Sequence, residues 1–449
     1  MKRIVGGATA LAATLAVAIT GCSSSGGNSG GNGTGGGGGG GSQSQAAPNG
    51  SGKTITVWLQ SDAKTGWPAV VAQANKRFEQ QTGAKVNIQW QQWSNYTTKL
   101  DSTFAGSTGV PDVVELGNTQ TASYIDAGAF TDLTSQKSQF ANSSSWLNGL
   151  AESGTSPDGK LEAVPYYAGS RVVIYRTDIW KKAGVTTAPK TLDELNADLD
   201  KVKAANSSDP NFSAFYMPGK YWYAAMSLVY GAGGKIADQQ NGKWVGTLES
   251  QQAQTGLAEW QKLATDYSVG GATQDESTQD AVMAKGHVAS IAGNGWEVGA
   301  VTAPKTGNPG LAKKLSTFPF PGTAASAYTP SFLGGSDLAV PQKAGNADLG
   351  EQWIKVFTDT KSQTELAKYA IPNTTSLLKV YEKQSQANQS TGEAAKNTWF
   401  VPNTPNWANV ESANVLQNML ESIATKKSSI AAATKTADGQ LNKILNGTN

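Results

Sequence analysis

Cysteine and histidine are nearly absent. The 449 residues hold one of each, Cys22 and His287. A single cysteine excludes an internal disulfide and a cysteine-rich metal site. Without a second histidine or cysteine, the common zinc ligand sets are argued against as well. A Ser-His-Asp triad would depend on His287 in "AKGHVASIAG", at the head of an expected strand, and no G-x-S-x-G elbow accompanies it. That histidine is read as structural. No G-x-x-x-x-G-K-[ST] phosphate loop is present. "YGAGGKI" is rich in glycine but follows a helical pattern, so it reads as a helix stop. Carboxylate pairs for glycoside hydrolysis have no fixed spacing, and the chain carries 34 acids, so that chemistry stays open.

Long apolar runs are scarce too, and the one at the start is telling. After Met1, Lys2 and Arg3, residues 4–19 are apolar or small and carry no charge. A basic start before an apolar core is the pattern of a secretory signal. The run is shorter than the ~20 residues that span a bilayer. Ile19-Thr20-Gly21-Cys22 resembles the bacterial lipobox. The resemblance implies diacylglycerol on the Cys22 sulfur and cleavage before it, with residues 1–21 as signal peptide. Loss of Lys2 and Arg3 with the leader takes the formal charge from +2 to zero. No basic field remains to attract nucleic acid or an anionic surface. The membrane anchor is therefore expected from lipid, and a diacylated cysteine supplies the second chain that stable anchoring needs. Residues 22–52 follow as a lipidated cysteine and a tract of Gly, Ser, Asn and Gln. Such a composition cannot order itself around a core, so it reads as a disordered tether with a typical reach of ~30 Å.

The remaining body, roughly 400 residues, is long for one core and natural for two lobes. "TITVWLQ" has the signature of a strand, "AVVAQANKRFEQQTG" that of a helix stopped by Gly83, and "AKVNIQW" that of a second strand with Val86, Ile88 and Trp90 on one face. "YTTKLDSTFAGS" (helix), "PDVVEL" (strand) and "TQTASYIDAGAF" (helix) continue the alternation, which predicts an α/β fold with a largely parallel sheet. In such sheets ligands bind at the carboxyl ends of strands. Further on, "TLDELNADLDKVKAA" carries a capping box, with Thr191 as N-cap and Glu194 three residues later.

Aromatic residues are plentiful: 13 Trp and 13 Tyr. Sugars present flat C–H faces rimmed by hydroxyls, and they suit pockets that combine rings with a few polar groups. Trp180, Trp260 and Trp353 have helical spacing and read as core, as do Trp58 and Trp90 within strands. Trp93, Trp222, Trp296 and Trp407 fall in loops or at element ends beside Gly, Asn, Tyr or Pro, which makes them candidates for ligand contact.

The ordered set "FEQQTGAKVNIQW", "GVPDVVELGN", "YIDAGAFTDLT", "GKLEAVPYYAGSRVVIYRTDIWKKAGV", "PKTLDEL", "YGAGGKI", "GNGWEV", "GGSDLAVP" and "PNWANVE" resembles extracellular solute-binding proteins of carbohydrate ABC importers, relatives of maltose-binding protein. The resemblance spans nearly all of 54–445. It implies a type II periplasmic-binding-protein-like fold, with residues 53–168 and 334–373 in one lobe and 169–333 and 374–449 in the other. It implies a binding protein rather than an enzyme, with a mono- or oligosaccharide as ligand and an ABC permease as partner. No cofactor, metal or nucleic acid enters, and a monomer is expected. Carried over by position, the resemblance places Gln60, Ser61, Asp62, Glu115, Asn118, Tyr167, Trp222, Asn294, Trp296, Ser336, Asp337 and Trp407 at the ligand, and the loop position of Trp93 adds it to them. Asp62, Glu115, Asn118 and Asp337 would exchange hydrogen bonds with hydroxyls. A secreted lipoprotein glycoside hydrolase and the same fold holding a non-sugar solute stand as alternatives.

Overall fold

A computed structural model describes residues 47–93, 96–106 and 108–447. The leader, Cys22 and the tether up to residue 46 lie outside the described residues. The first strand, β1 (Thr54–Gln60), leads through the helix Pro68–Thr82 into β2 (Lys85–Gln91). Gly83 ends that helix in the left-handed region at φ 72°, its N–H bonded to the Glu79 carbonyl at 2.9 Å, a conformation that suits glycine because it has no Cβ to clash. β3 (Val113–Gly117) and β4 (Val164–Gly169) follow. β2 and β3 both pair in parallel with β1. The strand Gly334–Ala339 is antiparallel to β3 and β4, and Ile371–Pro372 is antiparallel to β4.

The six-stranded sheet is therefore mixed, which corrects the expectation of a largely parallel one. Its late strands return from the second lobe and enter from the opposite direction. Successive residues point to opposite faces of a strand, and both faces here are apolar. Val57, Leu59, Val113 and Leu338 pack with Phe78 and Trp353, while Trp58, Val114, Leu116 and Ala339 pack with Tyr96, Leu100 and Tyr124.

The second sheet is centred on β5 (Arg171–Arg176), with Ser290–Asn294 and Leu315–Pro319 antiparallel on either side. Val173 faces a helical layer containing Trp180, Leu195, Leu257 and Trp260, and Val172 and Ile174 face Met283, Val288 and Leu311. The helix Leu192–Ala205 begins as its sequence dictates. Thr191 Oγ1 accepts from the Glu194 N–H at 3.1 Å, but Glu194 Oε2 accepts from the N–H of Lys190 at 2.7 Å, so the box closes one residue early. The first two crossings between the sheets lie side by side at 169–171 and 332–334, where the Arg171 N–H donates to Ser331 Oγ at 2.8 Å.

Candidate functional site

The topology brings particular residues to one place. β4 is antiparallel to Gly334–Ala339, which is antiparallel to β3, so β4 runs with β1, β2 and β3. Gln60, Gln91, Gly117 and Gly169 thus end their strands on one edge of the first lobe. Arg171 opens the second sheet immediately after that edge and pairs with Asn294. The edge of the second lobe that carries Asn294 and Trp296 therefore confronts the carboxyl ends of the first lobe's strands, where α/β sheets bind ligands.

On the first wall, Trp93 is 41% exposed. Its indole N–H donates to Asp62 Oδ2 at 2.6 Å, and its ring meets Tyr96 edge-on at 6.1 Å, so the ring is held at two points. Ser61 Oγ donates to Gln92 Oε1 at 3.0 Å. Beneath this rim the Gln60 N–H donates to Glu115 Oε2 at 2.8 Å. Burial pushes the Glu115 carboxyl up to about 7, against the opposing pull of the Gln60 N–H and the Ser336 hydroxyl. Tyr167 is nearly buried, edge-on to Tyr166 at 4.8 Å and to Trp67 at 4.9 Å. Its phenol is pushed up by burial and by the nearby Glu115, while the Ser336 hydroxyl opposes the shift. Gln60, Glu115, Tyr167 and Ser336 thus form one group. Among the described residues, both side-chain polar atoms of Gln60, Glu115 Oε1 and Ser336 Oγ are buried without a hydrogen-bond partner. Buried polar atoms are generally paired, and unpaired ones are sites for water or ligand.

Asp337 and Asn118 do not join that group. Asp337 opposes Leu116 and Glu115 opposes Leu338. Directly opposed residues share a face and neighbours alternate, so Asp337 projects from the face opposite to Glu115. There its Oδ2 accepts from Thr121 Oγ1 and Ser153 Oγ, each at 2.8 Å, tying the helices Asn118–Asp126 and Asn148–Ser153 to the sheet. Asn118 donates to the Leu333 carbonyl at 2.9 Å and accepts from the Gly335 N–H at 3.3 Å, fastening the second crossing.

On the second wall, Trp296 is 50% exposed. The turn that presents it is pinned by Glu297, whose Oε1 accepts from the Asn294 N–H and whose Oε2 accepts from Gln279 Nε2, both at 2.8 Å. Burial pushes Glu297 up to about 7. Trp222 and Trp407 are 4% and 1% exposed. Their ring centroids are 5.8 Å apart, and Trp222 is 6.2 Å from Trp399. The structure places these two in the core of the second lobe, not on the cleft surface.

The residues that sequence reasoning passed over stand beside these. Tyr223, one position after Trp222, is half-buried and stacked on Phe332 at 4.9 Å, and the Arg171 guanidinium lies 4.2 Å from its centroid. Arg171 Nε donates to Tyr221 Oη at 2.9 Å. Glu411 lies one helical turn beyond Trp407, and its Oε2 accepts from Thr119 Oγ1 at 3.4 Å across the two lobes. Burial pushes Glu411 up to about 7. "GSR", "KYWY" and "PNWANVE" held these residues, and only the helical register could have separated the buried aromatic from its half-buried neighbour.

Residues 59–364 match the bacterial extracellular solute-binding protein family. The chain belongs to this family. The diacetylchitobiose binding protein DasA of Streptomyces coelicolor is 34% identical over 401 residues, covering 88% of this chain and 90% of that protein. A probable ABC transporter-binding protein of Deinococcus radiodurans is 26% identical, covering 64% of this chain and 69% of its own length. Among solved structures, this solute-binding protein resembles the GacH receptor of Streptomyces glaucescens, studied unliganded and with acarbose, at a TM-score of 0.74 and 18% identity. The match covers 90% of this chain and all of that one. It also resembles a Thermotoga lettingae ABC transporter solute-binding protein bound to α-D-tagatose, at a TM-score of 0.73 and 22% identity, covering 88% and 100%. These structures establish the two-lobed α/β fold. The relatives are binding proteins, so the hydrolase alternative draws no support from them. Among the described residues no helix is long and apolar enough to cross a membrane.

Proposed function

We propose that this solute-binding protein captures a neutral sugar between its lobes and delivers it to an ABC permease. The observation that carries the reading is a pair of half-exposed tryptophans on opposite walls, Trp93 beside Asp62 and Trp296 beside Asn294. Two rings flanked by carboxylate and amide groups match the apolar faces and hydroxyl rims of a sugar. DasA, named for diacetylchitobiose, makes an N-acetylated hexosamine disaccharide the first candidate. Ser61, Asp62 and Asn294 are the accessible polar groups and Trp93 and Trp296 the platforms, with Gln60, Glu115, Tyr167 and Ser336 buried beneath the rim. Ligand contact by these four, or by the equally buried Asn118, Trp222, Asp337 and Trp407, would require rearrangement. The lobes comprise 53–168 with 334–373 and 169–333 with 374–449, and hinge closure on ligand is the state the permease reads. A thermal-shift panel tests this. Diacetylchitobiose at 100 times its dissociation constant should add about 2.7 kcal/mol of stability. No shift with any mono- or oligosaccharide of the panel would sink the sugar reading.

The protein acts as a monomer on the outer face of the membrane, held by lipid on Cys22, and requires no cofactor or nucleic acid. The single cysteine between an apolar leader and a glycine-rich tract supports the anchor. Cys22→Ala is expected to move the protein from the membrane pellet to the soluble fraction. Retention in the pellet would count against lipidation.

A further inference from the structure

Trp296 sits closer to the first lobe than its exposure suggests. A Cβ built on Gly169 would fall 2.3 Å from Cζ3 and 2.4 Å from Cη2 of Trp296, and 3.0 Å from Asn294 Oδ1. Separations below about 3 Å are not tolerated between carbon atoms, so one side must move. Gly169 cannot easily yield. It is the last residue of β4, paired with Gly334, and the preceding Ala168 is paired with both Gly335 and Ile371. The turn carrying Trp296 is pinned from behind by Glu297 through Asn294 and Gln279. The indole is the part free to swing, because half of its surface is open. The Cζ3–Cη2 edge of the ring thus lies against the bare backbone of the crossing strand, and the open half of the indole is left for a ligand. The contact runs from the last residue of the first sheet to the second lobe.

We infer that Gly169 is a positioning residue for the ligand platform: its missing side chain lets Trp296 lie against the crossing strand at the angle that a sugar ring meets. The inference rests on the sugar reading only for its binding arm. Gly169→Ala swings the indole outward and weakens sugar binding about tenfold. Trp296→Ala alone costs about 30-fold. The double variant then costs about 30-fold rather than about 300-fold, because a residue acting solely through Trp296 adds nothing once that ring is gone. Additive losses would overturn the inference.

A ligand-free arm uses protein labelled with ¹⁵N at tryptophan, in which the Trp296 indole resonance is identified by its loss in Trp296→Phe. That resonance should shift or broaden in Gly169→Ala while the indoles of Trp180, Trp260 and Trp353 stay in place. An unmoved Trp296 signal would also overturn it. If Gly169→Ala folds poorly, the Trp296→Ala background removes the clash and should restore its melting temperature. A double variant that melts as low as Gly169→Ala alone would place the strain elsewhere. If no sugar binds the unmodified protein, the sugar reading fails, and the indole resonance alone decides the role of Gly169.

Discussion

Trp296→Ala weakens sugar binding by about 30-fold or more, with little change in the melting temperature of the unliganded protein. A buried aromatic anchor removed to alanine typically costs ~2 kcal/mol or more, and 1.4 kcal/mol is about tenfold in affinity. Trp296 is half exposed before ligand arrives, so unfolding the free protein gains little from its removal. Its turn does not depend on the indole either, because Glu297 holds the Asn294 N–H and Gln279 independently. The contrast with Trp222 is direct: the same substitution there would open a hole among Phe332, Trp399 and Trp407 and cost ~3–5 kcal/mol of stability. Isothermal calorimetry and differential scanning calorimetry on Trp296→Ala separate the two cases. A large loss of unliganded stability with near-normal affinity would show that Trp296 is core and that the site lies elsewhere.

Acidification from pH 8 to pH 5 stabilises the unliganded protein. Glu115 and Asp337 are 1% and 0% exposed. No cation is among the groups that shift them, and burial pushes each carboxyl up to about 7. In the unfolded chain both return to roughly 4. Between these values the folded protein holds protons that the unfolded chain releases. The stabilisation is therefore fully present below the unfolded value and is lost as pH rises through about 7. Each group contributes about 1.4 kcal/mol per pH unit within that window, or roughly 5 kcal/mol for the pair between pH 8 and pH 5. For a body of this size that is a rise of about 4 °C or more in melting temperature. Glu297 and Glu411, also pushed up to about 7 by burial, act in the same direction. Carboxylates held low, such as Asp158 beside Ser156 and Lys160, titrate below this window and do not offset the trend. Asp337→Asn keeps an oxygen for Thr121 and Ser153 while removing the titration, and should flatten the pH dependence by about half of the pair's share. Scanning calorimetry at pH 5, 6, 7 and 8 is the measurement. A melting temperature that is flat or falls on acidification would mean that these carboxyls are solvated in the folded state.

Local pattern determined much of this protein without help from tertiary structure. The alternation in "TITVWLQ" and "AKVNIQW", the helical spacing closed by Gly83 and the cap at Thr191 all act within a few residues, where propensity and hydrogen bonding decide. The near-absence of cysteine and histidine, with the wealth of tryptophan, likewise narrows the chemistry by composition alone. Sheet direction was not legible, because Gly334–Ala339 and Ile371–Pro372 return from another lobe and a strand's own residues do not record the direction of its neighbour. Nor was the division between Glu115 and Asp337, since a one-residue register offset across paired strands sends them to opposite faces. Trp222 and Tyr223 are adjacent in sequence and both meet Phe332, and only the further packing against Trp399 and Trp407 buries the first while the second stays partly open. The approach of Gly169 to Trp296 joins residues far apart in the chain and on different lobes. Tertiary structure alone decided it, because it depends on where two separately folded sheets meet.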